Sequence, residues 1–365
     1  MGLSYLVYPG AIHTRFQHAI GCMCLMQKAV NVLRFKEVII SKEEERALYI
    51  AILLHDIGHG PFSHAMEHSI VNGISHEEIS MRFMQKLNEE FNGSLTLAIQ
   101  VFEGKYERPF LCELISSQFD MDRADYLKRD SFYTGVAEGN VNSERLITML
   151  NVVNDRLVVE EKGIYSVEKF LVARRFMYWQ VYLHKTGLVA EQLLTRVLKR
   201  AKELTNQGVV LNASAALSYF LKNEISEENF DDATLETFSR LDDTDILSAM
   251  KDWQYHDDFI LKHLCSMIVN RDLLKIKLKN KPIKRSTLDK HLANMVSKYD
   301  ISEKDAGYFV FIDEISNLAY QSKTQKIKIL KKSGKVVDIT KASDQFNIKA
   351  LSKPVTKYYI CYPKE

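Results

Sequence analysis

The chain has 365 residues, 46% hydrophobic and 26% charged, which is the ordinary globular range. Its 49 basic and 47 acidic side chains leave a formal charge of +2, so any nucleotide or nucleic-acid site must be a local basic pocket. Six prolines and 15 glycines exclude collagen-like and low-complexity classes. The longest clean apolar run, Ala47 to Leu54, falls well short of the ~20 residues needed to span a bilayer.

The first eight residues carry no basic stretch ahead of an apolar core, so no secretory leader is read. Cysteines at 22, 24, 112, 265 and 361 are sparse, odd in number and free of CxxC pairs. They read as reduced, mostly buried thiols of a cytoplasmic protein. Residues 44–57 predict a helix with an acidic start, an apolar interior and Gly58 as a stop. Its near-continuous apolar run predicts a buried helix, and one that ends in His55-Asp56 needs strong partners for those side chains. Gly60-Pro61 forces a loop, with a further helix expected from about Phe62. Residues 76–90 and 111–131 read as helices, 166–204 as one or two long ones, and the acidic stretch 222–257 as short helices with solvated faces. The basic segment Lys275 to Lys290 reads as a solvated face, with polyphosphate or partner binding as its rival. Near residue 305 the pattern turns to β-branched and aromatic alternation, and Lys332-Ser333-Gly334-Lys335 reads as a hairpin turn. The expected fold is mainly α. It comprises a helical bundle over 1–200, a helical region over 201–305 and a small α+β appendage over 306–365.

Seven of the 11 histidines (13, 18, 55, 59, 64, 68, 76) fall within the first 80 residues. Such clustering points to metal or acid–base chemistry. His55 and Asp56 are adjacent at a helix end, about 100° apart, so both can reach one ion placed beyond it. Imidazole with carboxylate suits a divalent Mn, Fe, Ni, Zn or Mg ion, and His18 and Asp122 are candidates to complete the set. The string His55-Asp-Ile-Gly-His-Gly-Pro-Phe-Ser-His64 is more specific than the pair alone. Helix arithmetic adds two stripes: Asp122, Tyr126 and Asp130 step by about 40°, and Arg174, Tyr178, Tyr182 and Lys185 fall within about 80°. Aromatic faces and cations in such stripes suit a sugar and a phosphate chain. The plain alternative for the second is an interfacial helix face with snorkelling cations.

Four strings now stand in order: Tyr8 to Gly21, Leu54 to His64, His76-Glu77, and Met121-Asp-Arg-Ala-Asp-Tyr-Leu-Lys-Arg-Asp130. In these the chain resembles the HD-domain phosphohydrolase superfamily, in particular its deoxynucleoside triphosphate triphosphohydrolase branch. The resemblance is strong over residues 1–200 and looser in the tail. It implies an HD-domain helical bundle with metal ligands at His18, His55, Asp56 and Asp122. It implies a catalytic histidine at His76, supported by His59 and Glu67. Arg15, His64, Arg123 and Arg174 match phosphate-contacting positions, Tyr126 and Asp130 sugar-proximal ones, and Tyr182 the aromatic under the deoxyribose. Tyr178 stands where a relative has histidine. A nucleotide substrate, a nucleotide activator (Arg145 matches one activator contact) and a homodimer or homotetramer are implied in the same way. Relatives carry a Gln-Leu-Gly string before the equivalent of Gly2 that helps exclude a 2′-hydroxyl. Here Met1 stands at the Leu position and the Gln is absent, which leaves sugar selectivity open. Release of triphosphate requires attack at the α-phosphorus, and a histidine near neutrality can protonate the departing oxygen. Two other functions compete: an HD phosphohydrolase acting on another nucleotide or phosphoester, and a catalytically silent nucleotide-binding scaffold.

Overall fold

The computed structural model describes residues 1–62, 69–71, 73–322 and 325–364, and only the backbone of 346 and 347. The expected helix from about Phe62, and the positions of His64 and Glu67, lie outside the described residues. The fold is mainly α with two small sheets. Helix α1 (Arg15–Phe35) starts at Thr14, whose side chain and that of Gln17 form a reciprocal capping box. The same device starts α2 (Lys42–Leu54) at Ser41 with Glu44, and α3 (His76–Glu90) at Ser75 with Glu78. Then come α4 (Thr96–Phe102), α5 (Pro109–Ile115), α6 (Met121–Thr134) and α7 (Ser143–Thr148). The hairpin β1 (Leu150–Val153) and β2 (Arg156–Glu160) precedes α8 (Ile164–Met177) and α9 (Lys185–Asn206). The acidic region forms α10 (Ala215–Lys222), α11 (Asp232–Ser239) and α12 (Asp243–Trp253), followed by α13 (Phe259–Val269). Strand β3 (Lys275–Lys279) and helices α14 (Arg285–Tyr299) and α15 (Glu303–Ala306) lead into β4 (Phe311–Asn317), β5 (Lys328–Leu330), β6 (Val336–Asp338) and β7 (Val355–Tyr362).

The expected helix over 111–131 is two helices. Asp120 breaks it by capping α6 through the Arg123 amide, while its other oxygen accepts from the Ser117 amide. The helical stretch over 166–204 is interrupted by a π-turn at Tyr178–Tyr182, so a constant 100° step does not carry past Tyr178. The hairpin turn at 332–335 is as expected, with Gly334 at φ +80°. Strands of the C-terminal stretch pair with earlier ones. One sheet has the order β1-β2-β5-β6, with β2 and β5 parallel at Val159↔Ile329, and the other the order β3-β7-β4, all antiparallel.

Two cores result. One gathers Met26, Leu33, Leu48, Ile52, Phe110, Phe170 and Ile329 around α1, α2, α5, α6 and α8. The other gathers Leu193, Val197, Phe220, Trp253, Leu261 and Phe309 around α9 to α13. Among the described residues, no helix is long and apolar enough to cross a membrane, and all five cysteines are free.

Glu44 ties the first core together. It is buried, caps Ser41 N–H at 2.7 Å, accepts from Arg108 at 2.9 and 3.0 Å and from the Tyr106 hydroxyl at 3.1 Å. Burial opposes its charge, but these donors hold its carboxyl below the usual glutamate range. A depressed carboxyl contributes stability that is present above the unfolded value of about 4.3 and is lost as pH falls below it. We expect Glu44→Ala to cost ~2 kcal/mol at pH 7 and to flatten the acid limb of a urea-melt series against pH.

Candidate active site

The seam between the two cores opens into a cleft of about 790 Å³. Leu3, Phe62 and Leu194 line it from one core, and Ile115 with the ring of Tyr126 from the other. At its base, His18 on α1, His55 and Asp56 just after α2, and Asp122 on α6 converge. His18 Nε2 lies 3.1 Å from Asp122 Oδ1 and 3.9 Å from Asp56 Oδ2. His55 Nε2 lies 3.5 Å from Asp56 Oδ1 and 3.6 Å from Asp122 Oδ1.

The surroundings fix both imidazoles. His55 Nδ1 lies 2.7 Å from the Ile52 carbonyl, a bond only an N–H can make, so Nε2 carries the lone pair; that atom is buried without a hydrogen-bond partner. His18 Nδ1 lies 2.8 Å from Asp125 Oδ2, and Arg129 pins Asp125 through bonds of 2.8 and 2.9 Å. Two glycines make this packing possible. A Cβ at Gly21 would collide with Asp125 and Arg129, and one at Gly58 with the backbone of His76 and Ser80. Ser80, fully buried on α3, donates to the His55 carbonyl at 3.0 Å and accepts from Gly58 N–H at 2.9 Å, which fastens the His-Asp turn to α3.

Burial works against charge on all four groups, and their neighbours work in the opposite direction. Hydrogen bonds to Asp122 and Asp125 hold the His18 imidazole well above its usual value, and Asp122 with Asp56 raises His55. His18 and His55 hold Asp122 far below the carboxylate range, and His55 with Arg15 lowers Asp56. Two imidazoles and two carboxylates converging on one point fit a divalent cation, whose binding would displace any proton held there. Nδ1 bonded to a carbonyl or carboxylate, with Nε2 aimed inward, is how metal-binding histidines are commonly oriented. His18, Cys22, His55 and Asp122 place one donor atom each within 4.8 Å of one another, a cluster able to hold such an ion. Cys22 enters as a neutral thiol, since burial pushes it up to about 12.

The remaining predicted residues divide. His59 and His76 line the cleft as a stacked pair with ring centres 3.8 Å apart, and His59 Nε2 is 3.6 Å from Asp56. Arg15 lines it too and pairs with Asp56 at 2.5 Å. Arg123, Tyr126 and Asp130 line it from α6, and Tyr178 and Tyr182 from the π-turn. Arg174 is not among the lining side chains: it lies over the Tyr178 ring, behind the cleft wall, and donates to the Ala319 carbonyl. Lys185 is also absent from the lining. His64 and Glu67 lie outside the described residues. Residues not singled out from sequence are Asp125 and Arg129 behind His18, Cys22, and His13. His13 meets Asp130 Oδ1 at 2.7 Å, while the Tyr182 hydroxyl donates to Asp130 Oδ2 at 2.7 Å. The Asp125–Arg129 pair had a signal, an i,i+4 pair on a predicted helix.

Residues 15–130 match the HD domain family model, and 141–224 that of an HD-associated region. A phosphohydrolase from Bacteroides thetaiotaomicron, known from its crystal structure, is 50% identical, spans all of this chain and 91% of its own, and superposes with a TM-score of 0.96. The chain belongs to the HD-domain phosphohydrolases. The uncharacterized protein YwfO of Bacillus subtilis is 32% identical over 381 residues, covering all of this HD phosphohydrolase and 84% of its own length. The deoxynucleoside triphosphate triphosphohydrolase SAMHD1 homolog of Dictyostelium discoideum is 29% identical over 244 residues, covering 60% of this chain and 47% of that protein.

The Asp125 contact carries its own prediction for this HD enzyme. Asp125→Asn keeps an acceptor for the His18 ring but removes the negative charge that raises its basicity and pairs with Arg129, so Mn²⁺ affinity should fall about 10–100-fold with the fold retained. Calorimetric metal titration of the variant checks this.

Proposed function

We propose that the enzyme hydrolyses deoxynucleoside triphosphates at the α-phosphorus, releasing nucleoside and triphosphate. The observation that carries this reading is the arrangement along α6. Asp122 sits in the metal-binding cluster, and Asp130 lies eight residues on, about 12 Å along the same stripe, tied to Tyr182. A phosphate held at one end and a sugar at the other fill that span in series. A divalent ion held by His18, His55, Asp56 and Asp122 would polarise a phosphoryl oxygen and lower the pKa of a water.

The chain's own groups supply the rest. Arg15 and Arg123 offer cations to the phosphate chain. His13 and Tyr182 hold the Asp130 carboxylate in place, and its remaining lone pairs suit a sugar hydroxyl. The Tyr182 ring, set edge-on to Tyr126 and Tyr178, presents an apolar face to the deoxyribose. Water adds its hydroxyl to the α-phosphorus, the bond to the 5′ oxygen breaks, that oxygen takes a proton from His76 of the stacked pair, and the proton the water gives up to solvent is matched by the one that reprotonates His76. Exposed Ile12, Phe16 and Phe132 support reading the protein as a homodimer or homotetramer.

The test is incubation with Mn²⁺ and each dNTP and rNTP, with products separated by ion exchange. Deoxynucleoside plus triphosphate supports the reading. Orthophosphate or pyrophosphate would assign the site to another phosphoester. No turnover of any nucleotide by metal-loaded protein would favour a binding role.

A further inference from the structure

A second cavity, of about 570 Å³, lies between α9 and the segment running from α15 into β4. Its volume is in the range of small-molecule sites. From α9 it is lined by Glu191, Gln192, Thr195, Arg196 and Lys199, and from the other wall by Lys304, Gly307, Tyr308 and Asp313.

Three cations face this space, and their pairing is unlike that of their neighbours. Arg200, one turn on from Arg196, is bound to Asp258 at 2.5 Å and to Glu203 at 3.1 Å. Arg196 has no carboxylate within ion-pair distance among the described residues. Its guanidinium sits over the Phe311 ring, 3.4 Å from the ring centre, and spends one nitrogen, Nη1, on the Gln192 carbonyl and side chain. Burial depresses its pKa, which marks a cation short of counter-charge. Lys199 and Lys304 are exposed and form no ion pair among the described residues. Of the two carboxylates in the lining, neither forms an ion pair with these cations among the described residues; Asp313 accepts from the Tyr359 hydroxyl at 3.3 Å and acts on Arg196 only from beyond that range. A half-buried guanidinium without an ion-paired carboxylate is costly, and an anion recovers that cost.

We propose that this cavity is a second binding site, distinct from the catalytic cleft, for a compact anion bearing two or more phosphoryl groups. Arg196, with the Phe311 ring behind it, supplies a planar fork for one phosphoryl group, and Lys199 and Lys304 supply point charges for the next. Glu191 lines both this cavity and the catalytic cleft, and Gly187 and Leu194 of the same helix line the cleft. Helix α9 is thus a common wall of the two cavities.

The probe is tripolyphosphate, titrated calorimetrically at low ionic strength into chelator-treated protein. The wild type should show two binding events. The exposed pair Lys199→Gln/Lys304→Gln leaves packing intact and should weaken one event by at least about tenfold while sparing the other. Arg15→Gln, in the cleft, should do the reverse. ATP in place of tripolyphosphate separates the possible sources: tighter ATP binding, weakened in the same double variant, identifies a nucleoside-bearing ligand at Tyr308. Hydrogen exchange should slow over residues 304–308 when the site fills. Tripolyphosphate binding unchanged in the double variant, or a single event lost with Arg15→Gln, overturns the proposal, as does no binding at millimolar probe.

Discussion

Asp122→Ala is expected to abolish metal binding and to lower kcat at least about a thousand-fold. Asp122 Oδ1 is the atom common to both histidines, 3.1 Å from His18 Nε2 and 3.6 Å from His55 Nε2. Without it the cluster keeps two imidazoles and the Asp56 carboxylate, which Arg15 already holds at 2.5 Å. Charge stabilisation by a catalytic metal amounts to several kcal/mol, and each 1.36 kcal/mol is tenfold in rate. A ligand that binds only the folded state also stabilises it, by about 2.7 kcal/mol at a concentration of 100 Kd. The wild type should therefore gain several degrees of Tm with Mn²⁺, and the variant should not. Elemental analysis, activity and melting with and without metal give three readouts, of which two need no substrate.

His76→Asn should lower kcat by about 10²–10⁴ while metal content stays at the wild-type level. His76 begins α3, whose capping box is made by Ser75 and Glu78 and does not need the imidazole. Its ring stacks on His59 at 3.8 Å, and its Nε2 lies 3.3 Å from Glu77 Oε1. Neither contact involves His18, His55 or Asp122, so the loss should fall on kcat with KM little changed. His59→Asn is the informative comparison, because His59 also sits 3.6 Å from Asp56. If His59 supports rather than donates, its variant should fall less in kcat and lose some metal affinity.

Local signals made the start of this structure readable, and long-range pairing hid the rest. Helix α3 runs over 76–90 as predicted, because Ser75 with Glu78 is a capping pattern visible in sequence. The convergence of His18, His55 and Asp122 was implied by family resemblance; spacing alone could not join residues more than a hundred positions apart. Asp125 behind His18 belongs to the same class of contact, at a separation of 107 residues. Asp120 was within reach of local reasoning: an aspartate before Met121 is an N-cap signal, and it divides what looked like one helix. The β1–β2 hairpin was also within reach. Its turn is Asn154-Asp155, both at positive φ, between two short β-branched apolar runs. The π-turn at Tyr178–Tyr182 had no such local mark, so the helical step that joined Arg174 and Tyr178 to Tyr182 and Lys185 does not run through it.

Hydrolysis of a dNTP in H₂¹⁸O, followed by mass spectrometry of both products, tests the central claim most directly. Attack at the α-phosphorus places one ¹⁸O in the released triphosphate and none in the nucleoside. Label in the nucleoside, or release of labelled orthophosphate in place of triphosphate, would contradict the account.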